Sequence, residues 1–152
     1  AGVPVAQAND SGRAIMGEGL ARLGLIESPT ATYDAAGPCR EGTCWQVGLY
    51  AWHGYGGHGI GLDVHDPAQY YYGERRFRPG DVFTVEPGIY VNPAVLDALP
   101  DTPRNRAMIA RIRPVMDRYA NVGVRIEDVY ALTARGLEWW SDGAPRDPDA
   151  IE

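Results

Sequence analysis

The stretch His53-Gly-Tyr-Gly-Gly-His58-Gly-Ile-Gly-Leu-Asp63-Val-His65-Asp66 contains every histidine of the 152-residue chain. Histidine is the commonest metal ligand and the side chain best placed to carry protons near neutral pH. Glycine lets backbone come close to a neighbouring group. Together they point to a site that imidazoles reach and that main chain closely approaches. Upstream, Val47 to Trp52 reads as a strand feeding this run. Downstream, Ile60, Leu62 and Val64 alternate with Gly61, Asp63 and His65, predicting a strand with Asp63 and His65 on one face. Gly54-x-Gly56-x-x-Gly59 formally matches a dinucleotide-binding fingerprint. That fingerprint needs a helix opening at its end, and the strand-like continuation argues against it.

Outward from this run, residues 10–24 predict an amphipathic helix. Asp10 or Ser11 would cap it, Met16, Leu20 and Leu23 would form its stripe, and Gly24 would end it. Residues 27–46 read as a polar loop, and residues 69–80 as a Tyr- and Arg-rich loop closing in the turn Arg78-Pro-Gly-Asp81. Val82 to Glu86 is a strand stopped by Pro87-Gly88. Residues 102–113 predict a helix capped by Thr102, with Pro103 in its first turn, Met108 and Ile112 on one stripe, and Pro114 ending or kinking it. Residues 123–133 read as a strand with a possible bend. The Ala134-Arg-Gly136 turn then leads into Leu137–Trp140, and the end is a polar tail.

The length suits one domain or a piece of one. Apolar residues make up 45%, enough for a core, and the 19 Gly and 12 Pro fit a loop-rich globular fold. A net charge of −6 disfavours a nucleic-acid partner held through phosphates. The basic residues are all arginine. No apolar run is long enough to span a bilayer, so no membrane partner is expected. No secretory pattern opens the chain, which suggests the cytoplasm, and the absence of an initial Met suggests that the true start lies upstream. Cys39 and Cys44 read first as a pair of loop thiols, with a disulfide or a metal clip as alternatives.

Two acidic residues interrupt β-rich segments. Glu86 ends an apolar strand, and Glu127 lies within Val124-Arg-Ile-Glu. A carboxylate on a buried strand face needs a cation or several donors. The plain reading is an ordinary strand-end carboxylate at Glu86 and a weak Arg125–Glu127 surface ion pair. The chemical reading joins the two glutamates to His58, a nitrogen-and-oxygen donor set that suits Mn, Co, Fe or Zn. His58 alone could equally be a hydrogen-bonded core residue, with His53 and His65 in supporting or solvent positions.

Taken in order, the histidine run, Phe83-Thr-Val-Glu86-Pro-Gly-Ile-Tyr90 and Gly123-Val-Arg125-Ile-Glu127-Asp128 resemble the pita-bread metallopeptidases. Among these they look most like aminopeptidase P (Xaa-Pro aminopeptidase) and prolidase. The resemblance implies an α/β (α+β) fold, a curved, mostly antiparallel sheet with covering helices. It implies a metal-dependent hydrolase that cleaves the N-terminal Xaa-Pro bond of peptides with proline at the second position. It implies two divalent metal ions, Mn(II) first, with Co, Zn or Fe as alternatives. Residue by residue, His58, Glu86 and Glu127 match metal ligands. His65 matches the histidine that contacts the scissile carbonyl, His53 a histidine of the substrate pocket, and Arg125 an arginine supporting the site. Glu86 would also carry the proton to the leaving nitrogen.

The pattern departs from the family in places. An Asp-x-Gly…Asp-x-x-Arg block, which supplies two further ligands, has no match here. One extra glycine separates His53 from His58, and Val129 stands where a second aspartate is usual. The expectation is therefore that residues 1–152 form the C-terminal portion of a catalytic domain whose upstream half carries the two aspartates. Such a portion would be inactive alone, and the full-length protein is expected to be a homo-oligomer. A non-catalytic pita-bread module that binds peptides or proteins is the alternative. A purely structural metal site is a weaker third reading.

Overall fold

The computed structural model describes residues 2–39, 42–52, 56–63, 65–66 and 75–151, except for the side chains of Ala51 and Trp52. The chain forms two compact units, one of residues 1–12, 54–88 and 125–152 and the other of residues 13–53 and 89–124. The elements are helices α1 (Val5–Arg22), α2 (Pro103–Arg118) and α3 (Pro148–Ile151), and strands β1 (Ala51–Trp52), β2 (Val82–Val85), β3 (Gly88–Tyr90), β4 (Gly123–Arg125), β5 (Asp128–Thr133) and β6 (Gly136–Trp139). The strands form two three-stranded sheets, in the orders β1-β3-β4 and β2-β5-β6. This is the mixed α/β, antiparallel character expected from the sequence.

The unit of residues 13–53 and 89–124 is built around a core of Met16, Leu20, Leu25, Ile26, Val47, Leu49, Tyr50, Val91, Leu96, Met108, Ile112 and Met116. Gly24 ends α1 with φ +75°, where the Leu25 amide donates to Leu20 O and the Gly24 amide to Ala21 O. That pairing satisfies the last carbonyls of the helix. Thr102 caps α2 by accepting from the Asn105 amide at 3.1 Å. Asn105, fully buried, in turn accepts from the Asp34 amide and donates to the Asp34 and Pro100 carbonyls. Tyr50 is buried and donates its hydroxyl to the carbonyl of Leu25.

The unit of residues 1–12, 54–88 and 125–152 carries the sheet β2-β5-β6. β2 and β5 are antiparallel, pairing Val82 with Ala131, Phe83 with Tyr130, Thr84 with Val129 and Val85 with Asp128. β5 and β6 form a hairpin across Ala134-Arg135. Strand alternation sends Phe83 and Val85 to one face, where they pack with Val5, Phe77, Leu132 and Tyr130. Thr84 and Glu86 therefore face the other way. The aromatic rings of Phe83, Tyr130 and Trp139 stack in turn across the three strands. The Arg146 guanidinium lies over the Trp139 ring at 3.7 Å and donates to both carboxylate oxygens of Asp128. Burial alone would raise the Asp128 carboxyl. The Ser141 hydroxyl, the Trp139 indole and Arg146 outweigh that and hold it below the usual range.

Several expectations are corrected. α1 begins at Val5, not near Asp10, and Ser11 sits inside it, donating its hydroxyl to Gln7 O. The start is fixed by tertiary contact: Pro4 bridges Arg76, the Val5 amide donates to Arg75 O, and the Val5 side chain is buried. Leu23 is exposed rather than part of the stripe. The strand expected over 47–52 is a 3-10 turn at Gln46–Leu49 followed by a two-residue strand. Gln46 decides this, because its buried amide accepts from the Glu27 amide and donates to the Glu27 carboxylate. Pro114 does not end α2, which runs on to Arg118. Losing one helical hydrogen bond costs about 3 kcal/mol, and burying Met116 together with part of Val115 offsets it at about 1.5–3 kcal/mol per side chain. Cys39 and Cys44 are joined in a disulfide rather than standing as two thiols.

Tyr50 makes the first testable case. Its burial pushes the phenol well above its ordinary pKa of 10.0. The unfolded chain therefore releases this proton above pH 10 and the folded one does not. Stability from this group is complete below pH 10 and falls by about 1.4 kcal/mol per pH unit above it. Tyr50→Phe should cost about 1–2 kcal/mol near neutral pH by stranding the Leu25 carbonyl. The gap between the two proteins in urea unfolding should then close as the pH rises past 10.

Candidate metal centre

The register of β2 on β5 builds the centre. Glu86 and Glu127 each lie one residue beyond its last pair, Val85 with Asp128, and their carboxylates come within 4.8 Å of one another. The chain between β4 and β5 breaks at Ile126-Glu127 and changes sheet there. The bend anticipated within 123–133 lies at that point and leaves Glu127 at its corner. Like charges brought this close repel, so this arrangement calls for a cation.

His58 reaches the same place from the glycine run. Its amide donates to Thr84 Oγ1 at 2.9 Å, and the Thr84 amide donates to His58 O at 2.8 Å. The Glu86 amide donates to Gly56 O at 3.2 Å. Gly56 has φ +61°, and a Cβ there would lie 2.7 Å from the Glu86 carbonyl oxygen. The glycine is therefore demanded both by backbone conformation and by close approach.

His58 Nε2 stands 3.2 Å from Glu86 Oε1 and 4.0 Å from Glu127 Oε1. One donor atom from each of the three residues lies within 4.8 Å of the others. Ligands bound at about 2.1 Å to one ion lie roughly 3.0–3.5 Å apart when adjacent and about 4.2 Å when opposite. The two separations from His58 Nε2 fall within that span, so the trio is a candidate site for a divalent ion. Nδ1 of His58 is 2.9 Å from its neighbour's carbonyl, Gly59 O. A carbonyl can only accept, so Nδ1 is the nitrogen that donates there, and Nε2 is the one turned toward the carboxylates and available to an ion.

Arg125 donates Nη1 to Glu86 Oε2 at 3.1 Å, so the Arg125–Glu127 pair read from the sequence gives way to an ion pair with Glu86. His65 packs edge-on against His58, ring centroids 4.4 Å apart, and is exposed. Of the strand expected over Ile60–His65, none of the described residues 60–63 and 65 is in a strand: 61–63 are bends and 65 is a turn. Gly59 bridges both Phe83 and Asp66, and Leu62 is fully exposed. Gly61 leaves room for the Asp66 carboxylate, whose oxygen lies where a Cβ would be. Residues 60–63, directly after Gly59, are not helical, which argues against the dinucleotide reading. His53, and the Tyr70–Tyr72 stretch, lie outside the described residues. Thr84 is the residue that sequence reading passed over. Its signal was a hydroxyl in an otherwise apolar strand, two positions before Glu86.

Residues 8–134 match the sequence model of metallopeptidase family M24. The chain belongs to metallopeptidase family M24. It is 33% identical over 147 residues to Xaa-Pro aminopeptidase 1 of Streptomyces coelicolor, covering 95% of this chain and 25% of that protein. It is also 33% identical over 141 residues to the Escherichia coli Xaa-Pro aminopeptidase, covering 91% of this chain and 25% of that one. Among solved structures it resembles proline aminopeptidase P II from Yersinia pestis, with a TM-score of 0.60, 26% identity, and coverage of 99% of this chain and 29% of that one. A Zn-substituted E. coli aminopeptidase P in complex with product gives a TM-score of 0.58 at 26% identity, covering 99% of this chain and 28% of that one. This M24 chain therefore has the aminopeptidase P fold over its length and spans about a quarter of the curated relatives it matches. Among the described residues, no helix is long and apolar enough to cross a membrane.

Gly56→Ala should lower the unfolding free energy by more than about 2 kcal/mol, from left-handed backbone strain plus the clash with Glu86. Gly143→Ala, which meets nothing within 4 Å, should stay within about 0.5 kcal/mol of the native value. Chemical unfolding of the two variants checks this.

Proposed function

We propose that these residues form the second part of the active site of a metal-dependent Xaa-Pro aminopeptidase, acting within a longer protein whose upstream portion supplies two aspartate ligands. One observation carries the reading: one donor atom each of His58, Glu86 and Glu127 lies within 4.8 Å of the others, with His65 against His58, in a chain whose relatives include proteins called Xaa-Pro aminopeptidases. The reaction is hydrolysis of the peptide bond that precedes proline, releasing the N-terminal residue. A pair of divalent ions, when bound, supplies Lewis acidity and an acidified water. Mn(II) is the ion that a carboxylate-rich donor set favours.

The chain's own groups do the rest. His58 and the two glutamates would hold the ions, and Arg125, 3.1 Å from Glu86 Oε2, orients that carboxylate. Glu86 takes the proton from the attacking water and delivers it to the proline nitrogen as the C–N bond breaks. His65, exposed beside His58, donates an N–H to the carbonyl oxygen as negative charge develops there. His53, by its match to the family, would serve substrate binding. A binding module that never turns over substrate has no use for this set of donors.

The test uses the full-length protein, assayed with an Xaa-Pro peptide after Mn(II) loading. Replacing His58 or Glu127 by Ala should abolish both metal uptake and hydrolysis. His65→Ala should leave metal content unchanged while lowering kcat by roughly 10²–10³. Native metal affinity with no hydrolysis of any Xaa-Pro peptide would instead favour the binding module. Residues 1–152 expressed alone should not cleave such peptides at an ordinary enzymatic rate, because three ligands cannot hold a metal pair.

A further inference from the structure

Thr84 is buried, 1% exposed, in a strand whose other residues are all apolar. Its hydroxyl touches both partners of the metal-binding pair at once. It accepts from the His58 amide at 2.9 Å and lies 3.1 Å from Glu86 Oε1. Its one proton has two acceptors in range, that carboxylate oxygen and His58 O at 3.5 Å. The carboxylate is nearer and charged, so it takes the proton. Arg125 occupies the other oxygen, Oε2. Each oxygen of Glu86 thus receives one protein donor, and rotation of the carboxylate about its last bond is stopped. Oε1 keeps a second lone-pair direction, and it is the oxygen 3.2 Å from His58 Nε2.

We propose that Thr84 is a positioning residue that sets which oxygen of Glu86 faces the ion and holds it in register with His58. This rests on the metal-site reading given above. The hydroxyl need not be what attaches the glycine run to β2, since the Thr84 amide to His58 O and the Glu86 amide to Gly56 O are backbone bonds. Removing the hydroxyl should therefore free the carboxylate and loosen the ligand geometry while leaving the loop in place.

The experiment is Mn(II) titration of the full-length protein, followed by electron paramagnetic resonance of the free ion, with Co(II) visible absorption as a second readout. Thr84→Val should weaken Mn(II) binding by about 10–100-fold, whereas Thr84→Ser should stay within about threefold of native. The Co(II) spectrum should change in the first variant and not in the second. Circular dichroism checks folding, and Thr84→Ala replaces the valine variant, under the same thresholds, if valine prevents folding. His58→Ala serves as control. If it loses Mn(II) while the folded hydroxyl-free variant keeps native affinity, the role of Thr84 is overturned and the metal site stands. If His58→Ala binds Mn(II) like the native protein, the metal-site reading fails and the role of Thr84 falls with it.

Discussion

Two carboxylates brought together at the end of an antiparallel ladder repel, and the local structure of this unit is arranged around that repulsion. Glu86 and Glu127 come together because each directly adjoins the last described pair of the β2–β5 ladder, Val85 with Asp128. Arg125 neutralises part of the charge from one side, and Nε2 of His58 closes the other. What remains is a small, oxygen-rich, electronegative point suited to a divalent cation. A register slip of one residue would turn Glu86 and Thr84 onto the apolar face with Phe83, and the centre would vanish.

The glycine run serves the same constraint. His58 can stand against Glu86 only if its backbone bonds directly to β2 on one side and nothing protrudes at Gly56. The absence of a Cβ at Gly61 gives the Asp66 carboxylate its place and bends the loop back, so that His65 meets His58. A regular strand through Ile60, Leu62 and Val64 would have carried His65 away along a straight edge. The opposite side of the sheet is stiffened by stacked aromatic rings and by Arg146, whose guanidinium holds Asp128, the residue next to Glu127. The positions of the three candidate ligands are thus backed by packing.

Much of the site could be read in the residues. His58, Glu86 and Glu127 were singled out, and the structure brings them together. The Thr102 cap, the Gly24 helix end and the Arg78–Asp81 turn were also legible, since each is a local matter of one side chain and its own backbone. Elements whose limits depend on distant contacts were not. The start of α1 depends on Arg75 and Arg76, the 3-10 turn at Gln46 depends on Glu27, and the continuation of α2 past Pro114 depends on what Met116 buries. Thr84 escaped notice because a hydroxyl in a strand is commonplace until its partners are known.

The sequence by itself determined the chemistry available: which side chains can ligate, where glycine permits approach, which segments extend and which coil. These follow from residue type and from periods of two or 3.6, which act over a few positions. Only the tertiary structure decided who pairs with whom. Arg125 answers Glu86 rather than its near neighbour Glu127, and Cys39 joins Cys44. The strand of residues 123–133 divides between two sheets, because pairing is chosen by the register of segments some forty residues apart, and no local pattern records that choice.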